Sequence, residues 1–570
     1  MATIEVLNPV ALSAKKQLAL APRVPDLAGK RVGLFWNMKA GGDVALQRVQ
    51  ELLGKRYPTA EFTLFIGDTG SMVRRATKAG ADRVAAESDV VVGTTGDCGS
   101  CTSWLIHDMV EFEKRGVPTV ALTARGFEAD ARFSADTFGL SDLPFVVAES
   151  TFTSHSPEQI REMVEPLVGG IVAALTDPDL AGAPAAPAVD PAAAAHANVR
   201  FLDDRALAFT GADGVLALEE MNERFLEYGW GDGFPLYPPT RQRVDQMLTG
   251  TKRDPESVVG ILEPGFGIAT VEMIAANAVM AGCRPEHLPV VIAAIECIAD
   301  PTINLRGKAM STGTQAPMII VNGPVRERIG LNSGCCALGP GAPSRVNTVI
   351  GRALRLCMMN IGHTYPQLTD MDTMGSPTKY SMCIAENQER SPWEPYHVAR
   401  GFDAGQSTVT IHFNYGYSEL HDFESHTPED LIQVYKHAAM NLGSVTTGFW
   451  LVGRRSDPRN GTEEMEHDFM LICPEHAEIF GNAGWSRQDV RDAMFEAARL
   501  PYSELRRTKE AKALDAAHPE LTWLRDSPDT LLPVLETPEC FEVAVLGATA
   551  GRGQFYWGCG GPVTKVVDDV

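Results

Sequence analysis

Two cysteines three residues apart, Cys98 and Cys101, lie within Asp89–His107, DVVVGTTGDCGSCTSWLIH. A β-branched apolar run leads into a turn of glycine and threonine. The cysteines then stand at or just before a helix whose apolar residues include Trp104, Leu105, Met109 and Phe112. A thiol at a helix N-terminus meets free backbone N–H groups and the positive end of the helix dipole, which favour the thiolate over the free thiol of pKa about 8.5. Cys98 is therefore the candidate nucleophile. Cys101, one helical turn away, is placed to resolve a Cys98 adduct, sulfenic acid or persulfide as an internal disulfide. Asp97 opposes thiolate formation, while Gly96 and Gly99 leave room for close approach of a substrate. The competing readings are a buried structural pair and half of a zinc site. Zinc would want two further ligands, and only His107 is near in sequence.

The elements that must position these sulfurs follow from hydrophobic periodicity. Up to residue 178, short β-branched runs at Arg31–Phe35, Glu61–Phe65, Asp89–Gly93, Thr119–Leu122 and Phe145–Val147 alternate with helix-length segments such as Asp43–Tyr57, Cys101–Arg115 and Pro157–Leu175. Five βα units predict an α/β fold, a flavodoxin-like doubly wound parallel sheet, with both cysteines at its carboxyl edge where such folds bind ligands. The other strand ends would surround them. They supply Asn37 and Lys39, then Thr95, then Thr123 and Arg125, and finally Glu149, Ser150, Thr151 and His155. Lys39 and Arg125 are candidates for gripping a carboxylate or keeping the thiolate ionised, and His155 or His107 for moving protons near neutral pH. Each has the plain alternative of a solvated loop side chain.

Cys98-Gly99-Ser100-Cys101, preceded by Thr94-Thr95-Gly96-Asp97 and followed by Thr102 and Ser103, resembles the UGSC family of (seleno)proteins, named for selenocysteine or cysteine, Gly, Ser, Cys. Asn37 and Lys39 fit the same resemblance, which covers roughly the first 178 residues. It implies a thiol- or selenol-based oxidoreductase-like domain of a bacterial protein, loosely similar to the selenocysteine subunits of glycine and betaine reductases, without fixing a substrate. Cys98 stands where selenocysteine can stand in relatives. A thiol is less acidic and less reducing than a selenol, which disfavours reductive cleavage of an unactivated C–N bond. Addition to an electrophilic carbon, or attack on an activated C–S, C–N or N–O bond, remains open.

Residues 179–200 are dominated by alanine and proline and read as a linker. Residues 201–570 then read as a larger α+β region for substrate binding or a second catalysis, with a possible split near 400 and no fixed-period repeat. Helical runs are expected at Leu218–Tyr228 and Val271–Ala281, and strands at Met318–Val321, Ser407–His412, Met470–Cys473 and Glu542–Leu546. Two clusters in this region extend the candidate site. One is Asn332 with Arg345 at a helix entrance suited to an anion. The other is Glu386 with Asn387 after a strand-like run, close to Trp393, Glu394 and His397. His412, His421 and His426 lie near Asp422 and Glu424, but without the HExxH order of a metalloprotease, and no metal site is assigned. Cys473 and His476 read as a strand-end packing pair.

The chain has 570 residues, enough for several folding units, with 44% apolar and 22% charged residues. Against 50 Lys+Arg stand 73 Asp+Glu, a net charge of −23 that repels polyanions. Nucleic acid and membrane are therefore not expected as partners. The eleven cysteines lack the spacing of a secreted disulfide framework, and no apolar leader or membrane-length run is evident, so a cytoplasmic location with mostly reduced thiols is expected. Acidic composition and glycine-rich edges suit a homo-oligomer. The reading is a thiol-dependent oxidoreductase or lyase acting on a small electrophilic metabolite. Cys98 attacks, Cys101 resolves, and no cofactor is predicted beyond an external thiol reductant. The alternatives are a Cys-dependent hydrolase or transferase without redox change, and a non-catalytic subunit that delivers substrate.

Overall fold

A computed structural model describes residues 1–14, 16–70, 73–153, 155–177, 199–202, 204–453, 455–457, 462–506 and 518–568. Most of the expected linker, residues 179–198, lies outside them.

An antiparallel strand β1 (Ala2–Leu7) precedes the first sheet. That sheet comprises β2 (Arg31–Trp36), β3 (Glu61–Ile66), β4 (Val90–Gly96), β5 (Thr119–Ala124) and β6 (Phe145–Ala148). All five are parallel, in the order β3-β2-β4-β5-β6, so the flavodoxin-like expectation holds. Because both faces are covered, the central strands are continuous apolar runs rather than alternating ones. Val90 and Val92 join one core with helices α1 (Gly42–Arg56), α5 (Pro157–Val164) and α6 (Val168–Thr176). Val91 joins the opposite core with α2 (Lys78–Glu87), α3 (Gly99–Glu113) and α4 (Glu128–Thr137). Local chemistry starts these helices where the chain must turn. Thr77 accepts from Gly80 N at the start of α2, and Ser156 and Gln159 cap each other's backbone at the start of α5.

The region after residue 200 is larger and mixed α+β. Strand β7 (Ala206–Gly211) pairs antiparallel with β1, from Ala2 opposite Gly211 to Leu7 opposite Ala206. Val6, Val10 and Ala11 consequently pack in the core of the second region. A seven-stranded sheet is built from β8 (Ala316–Asn322), β9 (Cys383–Ala385), β10 (Thr408–His421), β11 (Asp468–Ile472), β12 (Phe541–Val545), β13 (Arg552–Gly558) and β14 (Val563–Val566). Its order is β9-β8-β10-β13-β11-β12, with β14 also on β10. The 14-residue β10 shifts register between Asn414 and Gly416 and passes from β14 to β13 along one edge, so the sheet curls. Strands on both sides of residue 400 belong to this sheet. Helices α7 (Gly214–Glu227), α8 (Val271–Ala281), α9 (Leu288–Ile298) and α11 (Arg345–Asn360) flank the largest core, and the short α10 (Leu305–Ala309) reaches the first unit.

One buried side chain anchors that reach. Arg306 on α10 is wholly buried and donates to Ser103 Oγ on α3 at 2.8 Å and to Thr137 Oγ1 on α4 at 3.4 Å, with a further bond to the Pro264 carbonyl. Its guanidinium also stacks 4.2 Å from the Phe138 ring. A planar fork with several fixed donors suits a three-way junction of this kind. Among the described residues, no single helix is long and apolar enough to cross a membrane.

Candidate functional site

Strand β4 delivers the thiol pair to the start of α3. Cys98 is the N-cap residue in extended conformation (φ −156°, ψ 166°), and its Sγ accepts from Cys101 N at 3.2 Å. One helical turn brings the two Cα atoms to 5.3 Å, within disulfide range, and the sulfurs are bonded. The helix mouth expected from the sequence is present. The open thiolate is not: Cys98 is 7% exposed and Cys101 3%. The reason is the second region, which covers the end of α3. Gly99 sits so close to the Met310 carbonyl and the Met371 side chain that a Cβ there would overlap the former.

The carboxyl edge of the sheet is knitted by the residues expected to hold substrate. Lys39 Nζ lies 2.8 Å from Asp97 Oδ1, and Thr153 donates to Asp97 Oδ2 from its hydroxyl at 2.7 Å and its backbone N at 3.2 Å. The carboxylate next to Cys98 is thus neutralised by a fixed cation, which removes the opposition to the thiolate expected from Asp97. Asn37 Nδ2 donates to Thr95 O at 2.9 Å, and Asn37 Oδ1 accepts from Lys39 N at 3.2 Å. Asn37 therefore ties the end of β2 to the end of β4. Thr95 is buried, and its hydroxyl has no hydrogen-bond partner among the described residues.

Two cavities flank the motif. Ser100, between the cysteines, lines one of about 170 Å³ together with Arg75, Trp104, Asn304, Gln315 and Tyr415. There Arg75 lies over the Trp104 ring at 4.0 Å. Gln315 donates to Tyr415 Oη at 2.8 Å, leaving its buried Oε1 as an acceptor without a partner among the described residues. This is a small chamber with both polar and apolar walls, below the roughly 300–1,000 Å³ of drug-sized pockets. The other cavity, about 780 Å³, reaches from Gly126 after β5 to the 370–380 loop, and Met371 separates it from Gly99. Its cations are paired: Arg355 with Asp370 at 3.0 Å, and Lys379 with Asp370 at 2.8 Å and Asp372 at 2.7 Å. Burial pushes the Asp370 carboxyl up, but Arg355 and Lys379 outweigh it and hold it below its ordinary range.

The remaining expected residues lie apart from the sulfurs. His107 is six residues beyond Cys101, roughly 9 Å along the helix axis, with Nδ1 3.4 Å from Asp108 and its ring against Trp104 and Phe138. His155 Nδ1 bonds Thr151 O at 2.7 Å, in the loop that supplies Thr153. Arg125 is exposed beside Gly126 at the mouth of the larger cavity. Asn332, Arg345, Glu386 and Asn387 belong to the edge of the second sheet instead. Asn332 Nδ2 bonds Cys335 O and Ser344 Oγ, Arg345 is exposed at the first turn of α11, and Asn387 Nδ2 donates to Gly547 O at 2.9 Å. Glu386 is buried, which raises its carboxyl pKa despite Arg487, Tyr396 N and Asn322. Among the described residues no three His, Cys, Asp or Glu side chains are grouped to hold a metal. His412 is buried with Nε2 on the His467 carbonyl.

Sequence reasoning missed Arg75, Asn304, Arg306, Gln315 and Tyr415. The run Asn304–Gln315, NLRGKAMSTGTQ, is a polar, glycine-containing stretch between an apolar helix and an apolar strand, and that contrast was the available signal. Arg75 and Tyr415 carry no local signal, since only the fold brings them to Ser100. The UGSC family pattern matches residues 5–177, so this stretch is a UGSC family domain. No curated protein matches the chain.

Proposed function

We propose that the chain is a thiol-dependent oxidoreductase for a small polar metabolite held between the motif and residues 304–315. In the reduced protein the Cys98 thiolate attacks R of an activated R–X bond of the C–S, C–N or N–O type, and X leaves and is protonated. Cys101 then attacks Cys98 Sγ, R leaves and is protonated to R–H, and the disulfide closes. Two electrons pass from the dithiol to the substrate, and an external thiol reductant restores the pair. The observation that carries this reading is the pairing of Cys98 with Cys101 at a helix mouth beside a chamber lined by Ser100, Arg75 and Gln315. Lys39 supports it by balancing Asp97.

The test reduces the full chain, removes the reductant and supplies a panel of small compounds with such bonds. Wild-type protein should lose two hydrogens from the 98–101 peptide, while Cys101→Ala should accumulate R on Cys98 and Cys98→Ser should do neither. Full turnover by Cys101→Ala would overturn the redox assignment in favour of simple nucleophilic catalysis. Absence of any change at Cys98 across the panel, with the compounds bound, would leave a delivery subunit as the better reading.

A further inference from the structure

A second cysteine occupies a strand-to-helix turn in the other sheet. Cys473 follows β11 and is the N-cap of α12 (Pro474–Asn482). Arg552 N donates to its Sγ at 3.3 Å. His476, in the first turn of the same helix, is 2% exposed, with Nε2 2.9 Å from the Asp422 carbonyl and Nδ1 2.9 Å from Tyr435 Oη. Burial pushes the Cys473 thiol up, but the neighbouring His476, through its backbone and its charge, and the Arg552 N–H outweigh this and bring the thiol below its ordinary value. Burial likewise lowers His476, and the nearby Cys473 sulfur with the Asp422 carbonyl reverses the direction. Both shifts favour a thiolate–imidazolium pair. In the apolar cores burial prevails over the nearby donors and charges, and Cys297 is pushed up to about 12 and Cys540 to about 11.

The thiol lines a cavity of about 350 Å³. Its walls include Ala337, Leu338, Leu471 and Leu546, with Arg552 and the vicinal Cys335–Cys336 pair also on it. The chamber is held in shape from several sides: Ala550 N and Gly551 N donate to Glu475 Oε2 at 3.1 and 2.6 Å, and Gly547 N donates to Ser333 O at 2.8 Å. We propose that Cys473 is the nucleophile of a second site, which accepts the acyl group of a small thioester in this cavity. The choice of leaving group follows from His476. Both ring nitrogens are engaged, so His476 orients and charges the pair without a free N–H for a departing group. An alkoxide or amine needs that proton, whereas a thiolate departs without it. The Sγ electron pair adds to the carbonyl carbon, the bond from that carbon to the leaving sulfur breaks, and the released thiolate takes a proton from water. The acyl group stays on Cys473 as a thioester with no change of oxidation state, and water can later release it as the acid. Apolar walls suit the acyl chain.

The experiment incubates the full chain with acetyl and hexanoyl thioesters of N-acetylcysteamine at pH 7 and maps the adduct by peptide mass spectrometry. Acylation should fall on Cys473, be removed by hydroxylamine, disappear in Cys473→Ser, and persist in Cys335→Ser, Cys336→Ser and Cys98→Ser. The last variant separates this site from the one at the first sheet. His476→Gln should slow labelling by tenfold or more at pH 7 and recover at pH 10, as expected of a positioning residue. Should the variants not fold, iodoacetamide labelling of wild-type Cys473 against pH decides, with a midpoint below that of a free thiol, about 8.5, expected. Acylation confined to Cys335 or Cys336, or a Cys473 midpoint at or above that of a free thiol, would overturn the proposal.

Discussion

Gly99→Ala probes the closure of the second region over the thiol pair. A Cβ at position 99 would overlap the Met310 carbonyl oxygen and stand 2.9 Å from the Met371 side chain. Carbon contacts relax near 3.5–4.0 Å, so Met371 must retreat by roughly 0.6–1 Å. Met310 presents backbone just after α10 and has no rotamer to spare. Overpacking of this kind costs about 1–3 kcal/mol, and the upper part of that range is expected because the obstacle is main chain. In a unit of about 150–250 residues each kcal/mol moves the melting temperature by about 2–4 °C. The comparison is Gly169→Ala on α6, where an added Cβ meets nothing within 4 Å and helix propensity favours alanine by about 1 kcal/mol. Calorimetry should show a loss for the first variant and none for the second. After reduction, Gly99→Ala should also alkylate faster at Cys98, because the cover is loosened. Equal stability of the two variants with unchanged labelling would refute the argument that this contact seals the site.

Arg306→Met should cost about 3–5 kcal/mol, as expected when one member of a buried charged network is removed, and should let the two units unfold in separate steps by urea denaturation. Lys39→Met removes the cation beside the buried Asp97 carboxylate next to Cys98, so the pH midpoint for alkylating reduced Cys98 should rise. Asp468 is buried on the second sheet, where desolvation pushes its carboxyl up to about 7 despite the bond from Gly558 N. A carboxyl raised in the fold keeps its proton when the unfolded chain has lost it, so this group's contribution falls as pH rises from about 4 through 7. Asp468→Asn should therefore gain on wild type by a few kcal/mol between pH 5 and 8 in denaturant titrations.

Much of the first unit was legible because its physics is local. Val90–Val92 can be a continuous apolar run only if both faces are covered, and the glycine-threonine turn with a cysteine at its end marks a helix start. The strands of the second region were found for the same reason, as at Met318–Val321 and Glu542–Leu546. Pairings across long separations left no local trace. Strand β1 joins β7 some 200 residues on, and its sequence ATIEVL does not say so. Burial of the motif was illegible likewise, because the residues packed on Gly99, Met310 and Met371, are hundreds of residues away. Asn37 and Lys39 were placed correctly at the strand end, yet their partners turned out to be Thr95 and Asp97 of the neighbouring strand. Cys473 and His476 were seen together, but the cavity beside them needed Leu546 and Arg552 from two other segments.

The most direct test of the redox assignment is an equilibrium titration of the full-length protein against dithiol–disulfide buffers, with each cysteine peptide quantified by mass spectrometry. The 98–101 peptide alone should gain and lose two hydrogens reversibly, and Cys98 should be alkylated before Cys101 once reduced. A pair that never leaves one state across the buffer range while the protein stays folded, or a Cys98 that remains the slowest thiol after reduction, would contradict it.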